Sequence, residues 1–284
     1  MNEPAFVKNP VGRLTRVLLC EPEHFRLEPI NVISQAQMAK NARVDLSSCL
    51  AEHRELQAAY RENGVIVELV EAQDQLPYQV FARDFGGCVA EGYVAGRFRE
   101  PIRSGELARY EAKMAELGVP CVARCTSGAF EGGDFWMLDE FTIAQGVIAR
   151  TDPEGFANVQ RQMAELGYSM MAVPCPRANL HLDMCFNIVA PRVAVACLEA
   201  LPEPFVVALR KRRFELIPIE QEAVFRHCAN IQALGDDRVL TFEGNGDVNE
   251  RLRALGLGIV SIKLENILKG GGGIHCMTFP LARS

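Results

Sequence analysis

Apolar and polar positions along this chain fall into blocks that recur. Residues 13–20 (Arg-Leu-Thr-Arg-Val-Leu-Leu-Cys) read as a strand, and the polar, helix-rich stretch 34–63 stops at Gly64, a residue suited to a helix C-cap. A strand over 65–70 follows, then a hairpin over 81–90 and 92–99. The order then repeats. A helix over 106–117 capped by Gly118 leads to 119–122 and the segment 130–150. A helix over 153–166, opened by Pro153 and capped by Gly167, leads to 169–173 and the hairpin 185–198. A helix over 204–213 leads to 214–219 and the hairpin 230–242, and a helix over 248–255 capped by Gly256 leads to 258–262. The chain closes on four glycines, Gly270 to Gly273, and a strand-like run over 274–281.

The register has support in the letters. Met114-Ala-Glu-Leu-Gly118 and Met163-Ala-Glu-Leu-Gly167 are identical, and Arg253-Ala-Leu-Gly256 resembles both. The period of about 43–54 residues is in the range of propellers and arrays. The fifth unit ends in one strand, and the strand around 17–20 supplies its partner, closing a ring without an open edge. The expectation is a single α/β domain over 1–284, a five-bladed pseudo-symmetric α/β propeller whose ring is closed by the N-terminal strand.

Chemistry-bearing residues recur where each unit passes into its hairpin: Arg83-Asp84, then Glu131-Gly-Gly-Asp134, then His181-Leu-Asp183, then His227-Cys-Ala-Asn230, then His275-Cys276. Each alone has a structural explanation. Asp84 suits a hairpin turn, Glu131 and Asp134 suit a Gly-Gly turn, and His181 suits a hydrogen-bonded core position. Equivalent positions in a ring converge on its axis, so their common register predicts one central site of acids, a histidine and a thiol. Trp136 and Met163 read as core, His24 and His53 as surface residues, and Lys211-Arg-Arg213 as the solvated end of a helix.

Composition narrows the class. Of 284 residues, 49% are hydrophobic and 23% charged, as in ordinary globular domains. A net charge of −6 argues against nucleic-acid or anionic-membrane partners. No apolar run approaches the ~20 residues of a membrane span. Met1-Asn-Glu-Pro-Ala-Phe6 lacks the pattern of a signal peptide, so the ten cysteines read as reduced thiols of a cytoplasmic protein. Cys121 and Cys125 have no second pair to complete a zinc set, and no metal or organic cofactor is expected.

Carboxylates around a thiol raise its pKa, which suits catalysis only if the substrate is a cation. A guanidinium is planar and permanently charged, and carboxylates hold it through paired hydrogen bonds. Its charge would stabilise the thiolate, which is the nucleophile. A histidine would protonate the leaving amine and then activate water.

Together and in this order, Arg83-Asp84, Glu131-Gly-Gly-Asp134, His181-Leu-Asp183 with Phe186, and Gly271-Gly-Gly-Ile-His-Cys276 resemble the guanidine-modifying enzymes: arginine deiminases, dimethylarginine dimethylaminohydrolases and amidinotransferases. The resemblance spans most of the chain and implies their pentein-like propeller. It also implies Cys276 as nucleophile, His181 as general acid/base and Glu131 as the histidine's partner. Asp84 and Asp183 become guanidinium clamps, with Asp134 grouped among the substrate-binding residues. Arg103 falls where deiminases place an arginine for the substrate carboxylate, and Arg150-Thr151 resembles a second such position; surface salt-bridging is the bland alternative for both. The expected partner is a small guanidino substrate, with a homo-oligomer allowed. The N-terminal part is too short for the helical insertion of deiminases, and residues 181–189 and the glycine loop look as much like amidinotransferases. Hydrolysis of arginine or a substituted arginine is therefore expected, with amidino transfer, or a non-catalytic binding propeller, as alternatives.

Overall fold

The repeats fold by burying one apolar stripe of a helix against the neighbouring sheets. In the helix Glu106–Glu116 the stripe is Tyr110 and Met114, and in Pro153–Glu165 it is Val159 and Met163, both at a spacing of four. The identical pentapeptides end these two helices, with Gly118 and Gly167 just beyond them. The structure, a computed structural model, describes residues 6–284. The reading of residues 1–5 as lacking a signal peptide lies outside the described residues.

The strands are β1 (Leu14–Cys20), β2 (Ile66–Val70), β3 (Gly86–Val89), β4 (Gly92–Ala95), β5 (Cys121–Arg124), β6 (Phe135–Met137), β7 (Thr142–Val147), β8 (Ser169–Pro174), β9 (Phe186–Ala190), β10 (Val193–Ala196), β11 (Glu215–Pro218), β12 (Gln232–Gly235), β13 (Arg238–Phe242), β14 (Gly258–Ile262) and β15 (Phe279–Arg283). They form five sheets, β15-β1-β2, β3-β4-β5, β6-β7-β8, β9-β10-β11 and β12-β13-β14. In each, the first pair is antiparallel and the second parallel, the parallel step being made by a crossover through a helix. The N-terminal strand completes the last sheet as expected: β1 runs antiparallel to β15, with Leu14 opposite Arg283, and parallel to β2. This is the pseudo-fivefold α/β architecture anticipated from the repeat.

Two details differ from the sequence reading. The run 274–281 is not one strand: Ile274–Met277 is a single helical turn, and β15 begins at Phe279. Short apolar runs fit either periodicity, so pattern alone does not separate them. The turn has counterparts at Ala82–Phe85, Gly132–Asp134 and Leu182–Cys185, each placed just before the strand that opens a sheet. His53 is not a surface residue. It is fully buried, with Nδ1 3.0 Å from Gln57 Nε2.

Phe85 ties the first of these turns to its surroundings, stacking on Tyr110 at 4.8 Å and packing on Phe279 of the last strand at 4.3 Å. All ten cysteines are free thiols. Among the described residues no helix is long and apolar enough to cross a membrane.

Candidate active site

The helical turns deliver their side chains to a common buried region. Asp84, Glu131, His181, Asp183, Asn230, His275 and Cys276 are all nearly inaccessible. Asp84, His181 and Cys276 border one cavity of about 10 Å³, room for about one water. Arg103, Arg150, Tyr78 and Ile30 border it as well.

The glycine loop is shaped by close approach. A Cβ on Gly272 would lie 2.6 Å from the Phe81 ring and 3.0 Å from Cys276 Cβ. Gly271 stands at φ 98°, where L side chains are strained, and its Cβ would lie 2.6 Å from Asn31 Oδ1. Asn31 caps the helix Val32–Ala39 through that oxygen and donates Nδ2 to Gly270 O at 2.8 Å, pinning the loop over the cavity.

The thiol has two polar neighbours. Asn230 Nδ2 donates to Cys276 Sγ at 3.0 Å, and Sγ lies 3.3 Å from Asp183 Oδ2. The same Asp183 oxygen accepts from His275 Nδ1 at 2.8 Å, while Asp183 Oδ1 has no donor among the described residues. Burial first, then Asp183 and Asp84, push the thiol well above its ordinary range, while Asn230 works in the opposite direction. Burial also acts to raise Asp183, but the hydrogen bond and charge of His275, with His181, hold its carboxyl low.

His181 has the opposite bias. Nε2 lies 3.0 Å from Glu131 Oε2, and Nδ1 lies 3.6 Å from Asp84 Oδ1. Burial pulls its pKa down, but Asp84, Glu131 and Asp134 outweigh it and leave the imidazole up at about 9. At neutral pH it is a cation among carboxylates. Glu131 remains ionised. Burial would raise it, but Arg150, His181 and Arg103 hold it down at about 2. Asp84, Glu131 and His181 offer ligand atoms within 4.8 Å of one another. Arg103 and Arg150 already direct positive charge at these carboxylates, which disfavours a metal ion there.

Two residues take places other than those the sequence implies, and His227 stays outside the site. The resemblance implies a substrate carboxylate for Arg103, but its guanidinium is taken up inside the protein. It grips Glu106 with two bonds of 2.9 and 2.8 Å, donates to Asp84 Oδ2 at 2.5 Å and reaches the carbonyls of Tyr78 and Phe81. It holds Asp84 in place. Asp134 was grouped with the substrate residues, but both its oxygens are occupied. Oδ2 accepts from Thr151 Oγ1 at 2.7 Å and Oδ1 from Leu182 N at 2.9 Å, which anchors the turn carrying His181 and Asp183. His227, in register with the other units, turns aside and meets Leu268 O through Nε2 at 3.0 Å. Asn230 fills that unit's place, and the repeat register was the signal that could have found it.

Arg150 keeps a free end. Nη2 donates to Ile30 O at 2.6 Å, while Nη1 has no hydrogen-bond partner among the described residues and sits 3.8 Å from both Glu100 and Glu131.

A buried thiol beside paired carboxylates, with a cationic histidine on the same cavity and a fivefold α/β scaffold, defines the class of guanidine-modifying enzymes with the pentein fold. The sequence profile of the family described as "N,N dimethylarginine dimethylhydrolase, eukaryotic" matches residues 21–283, and the chain belongs to that family. Its relatives include the uncharacterized protein YkgA of Bacillus subtilis (strain 168), 31% identical over 96% of this chain and 93% of the other. The N(G),N(G)-dimethylarginine dimethylaminohydrolase of Mycobacterium tuberculosis is 29% identical over 86% of this chain and 79% of its own. The arginine deiminase of Bacillus cytotoxicus is 25% identical over 74% of this chain, which spans only 63% of the deiminase. The N-terminal domain of ArgZ, an arginine dihydrolase from the ornithine–ammonia cycle in cyanobacteria, superposes with a TM-score of 0.84 at 21% identity, covering 94% of this chain and 97% of that one.

Proposed function

We propose that this protein hydrolyses the guanidinium group of arginine or an N-substituted arginine through a covalent intermediate on Cys276. The observation that carries this reading is that Cys276, His181 and Asp84 border one cavity, with Asp183 against the sulfur. The names of the relatives support it, since they act on arginine or dimethylarginine.

The substrate cation is held by Asp84 and Asp183, each of which has one oxygen without a hydrogen-bond donor among the described residues. Its positive charge offsets the two carboxylates that keep the thiol protonated, so Cys276 releases its proton to solvent as substrate binds, His181 being already protonated. The thiolate pair forms a bond to the central carbon while the C=N pair moves onto nitrogen. Return of that pair breaks the bond to the leaving nitrogen, which takes the proton of cationic His181 and departs as ammonia or an amine. Neutral His181 then accepts a proton from water as the water oxygen bonds to the same carbon. The C=N pair moves onto nitrogen as that bond forms, and its return expels sulfur with the C–S pair; the remaining hydroxyl proton passes to the thiolate, restoring the thiol and leaving a neutral ureido product. Glu131 stabilises the cationic form of His181 at 3.0 Å, and Arg150 Nη1 is available for a substrate carboxylate. An amino acid exceeds the present cavity of about 10 Å³, so binding requires its walls to move apart.

The test is incubation with arginine, methylated arginines and agmatine, with products identified by mass. Citrulline with ammonia or a methylamine is expected. Appearance of the amidino group on an added amine would make the protein a transferase, and no turnover of any guanidino compound would overturn the reading.

A further inference from the structure

A second cavity lies behind the thiol. Its room is about 30 Å³, enough for about two waters, and Arg83, Trp136, Asn187, Gln232, His275 and Arg283 are among its lining residues. It shares no residue with the cavity of Asp84 and Cys276, although Arg83 precedes Asp84 and His275 precedes Cys276. Successive residues of the same two helical turns thus serve opposite sides.

The charge of this second cavity is not balanced. Arg83 and Arg283 are both 6% exposed. Arg83 donates to the carbonyls of Gly132 and Phe135 at 3.1 and 2.6 Å, and Arg283 to those of Gly12 and Ala233 at 2.6 and 2.9 Å. Among the described residues no carboxylate reaches salt-bridge distance of either guanidinium; Asp183 and Asp84 act on Arg83 only from farther away. Burying two like charges with carbonyl partners alone is costly, and buried arginines ordinarily carry a counter-charge. Trp136 lies within this set. Its ring stacks on His275 at 4.6 Å, the Arg83 guanidinium carbon is 5.8 Å from it, and its Nε1–H has no acceptor among the described residues. The positive field is felt by its neighbours: burial and then Arg83 take His275 down to about 4 and Arg283 down to about 9.

The approach is cationic as well. Pro10 and Ile188 are shared with a cleft of about 700 Å³ lined by Arg192, Lys211, Arg212 and Arg213, with Asp139 as its one acid, 3.4 Å from Arg212. On a chain of net charge −6 this is a local reversal of sign beside the cavity, which raises the local concentration of anions. The unpaired amide oxygens of Asn187 and Gln232 repel an anion on their side of the wall, so an anion is confined to the guanidinium side, and the small volume limits it to one small ion.

We propose that this cavity is a binding site for one halide-sized monovalent anion, held by the guanidinium groups of Arg83 and Arg283 and the indole N–H of Trp136. The site does not depend on the catalytic reading. Its ligand would neighbour His275, whose Nδ1 bonds the Asp183 oxygen that contacts Cys276.

The single tryptophan makes the site directly observable. Trp136 is 4% exposed, so collisional quenching from solvent is weak. Bromide, titrated at constant ionic strength against gluconate, should quench Trp136 saturably and raise the melting temperature, and bromide-soaked crystals should show an anomalous peak between Arg83 and Arg283. Arg283→Met should weaken the apparent affinity about tenfold or more, and Arg283→Lys should weaken it less. Quenching that is linear in bromide and equal in all three proteins, or no anomalous peak in the wild type, would overturn the proposal. Glu3 lies outside the described residues. If the response appears only in Glu3→Gln, the chain's own carboxylate fills the site and the proposal likewise fails. Should Arg283→Met not fold, the anomalous peak in the wild type decides alone.

Discussion

Asn230 grips Cys276 twice: its Nδ2 donates to the sulfur at 3.0 Å and its Oδ1 accepts from the Cys276 backbone N at 3.2 Å. One side-chain amide thereby fixes the thiol's position and favours its ionised form, against the burial and carboxylates that oppose ionisation. Asn230→Ala should slow alkylation of Cys276 by iodoacetamide and shift the alkylation profile to higher pH. A hydrogen bond to a charged group is worth ~1.5–3 kcal/mol, so turnover should fall roughly ten- to a hundredfold. An unchanged alkylation profile would remove Asn230 from the site.

Cys276→Ala should abolish turnover and leave the melting temperature near that of the wild type, since the change deletes one small buried group. His181→Gly should still be attacked by Cys276 but should stall at release. Mass spectrometry of that variant after exposure to substrate should show an adduct on the peptide carrying Cys276. Residual turnover in Cys276→Ala, or an adduct on another cysteine, would displace the nucleophile.

The imidazole of His181 should titrate near pH 9 in an NMR experiment, far above the usual 6.5, because Asp84, Glu131 and Asp134 outweigh its burial. The sign for stability follows from linkage. A folded-state pKa above the unfolded value means that the stabilisation is complete below about pH 6.5 and is lost as pH rises through about 9. The stability difference between wild type and His181→Gln should therefore shrink between pH 6.5 and 9. A midpoint at or below 6.5 would contradict the assignment of His181 as the proton donor.

The two arginines on the cavity should behave differently. Arg103 has its charge taken up by Glu106 and Asp84, so Arg103→Ala leaves buried carboxylates uncompensated and should destabilise the fold by roughly 3–5 kcal/mol. Arg150 has a free Nη1, so Arg150→Ala should chiefly reduce the preference for arginine over agmatine, by about one to two decades in kcat/KM. Chemical denaturation measures the first and paired kinetics the second. If Arg150→Ala leaves the preference unchanged, this arginine does not bind the substrate carboxylate.

The sequence by itself determined the repeat, the order of helix, strand and hairpin in each unit, and the pairing of the first strand with the last. These follow from local periodicity, caps and turns, which act over a few residues. It also brought Asp84, Glu131, His181, Asp183 and Cys276 into one register. Their partners were another matter. The bond between Asp183 and Cys276 joins residues 93 apart, and that between Asn230 and Cys276 joins residues 46 apart. Which donor meets which acceptor across such spans depends on side-chain packing, and no local pattern encodes it. Only the tertiary structure therefore decided that Arg103 closes on Glu106 and Asp84, that Asp134 anchors a turn, and that Arg150 keeps a free donor. The pair Arg103 and Glu106 was within local reach, three residues apart on neighbouring turns. Two further carboxylates compete for Arg103 at the same place, and burial of the whole group settled the choice.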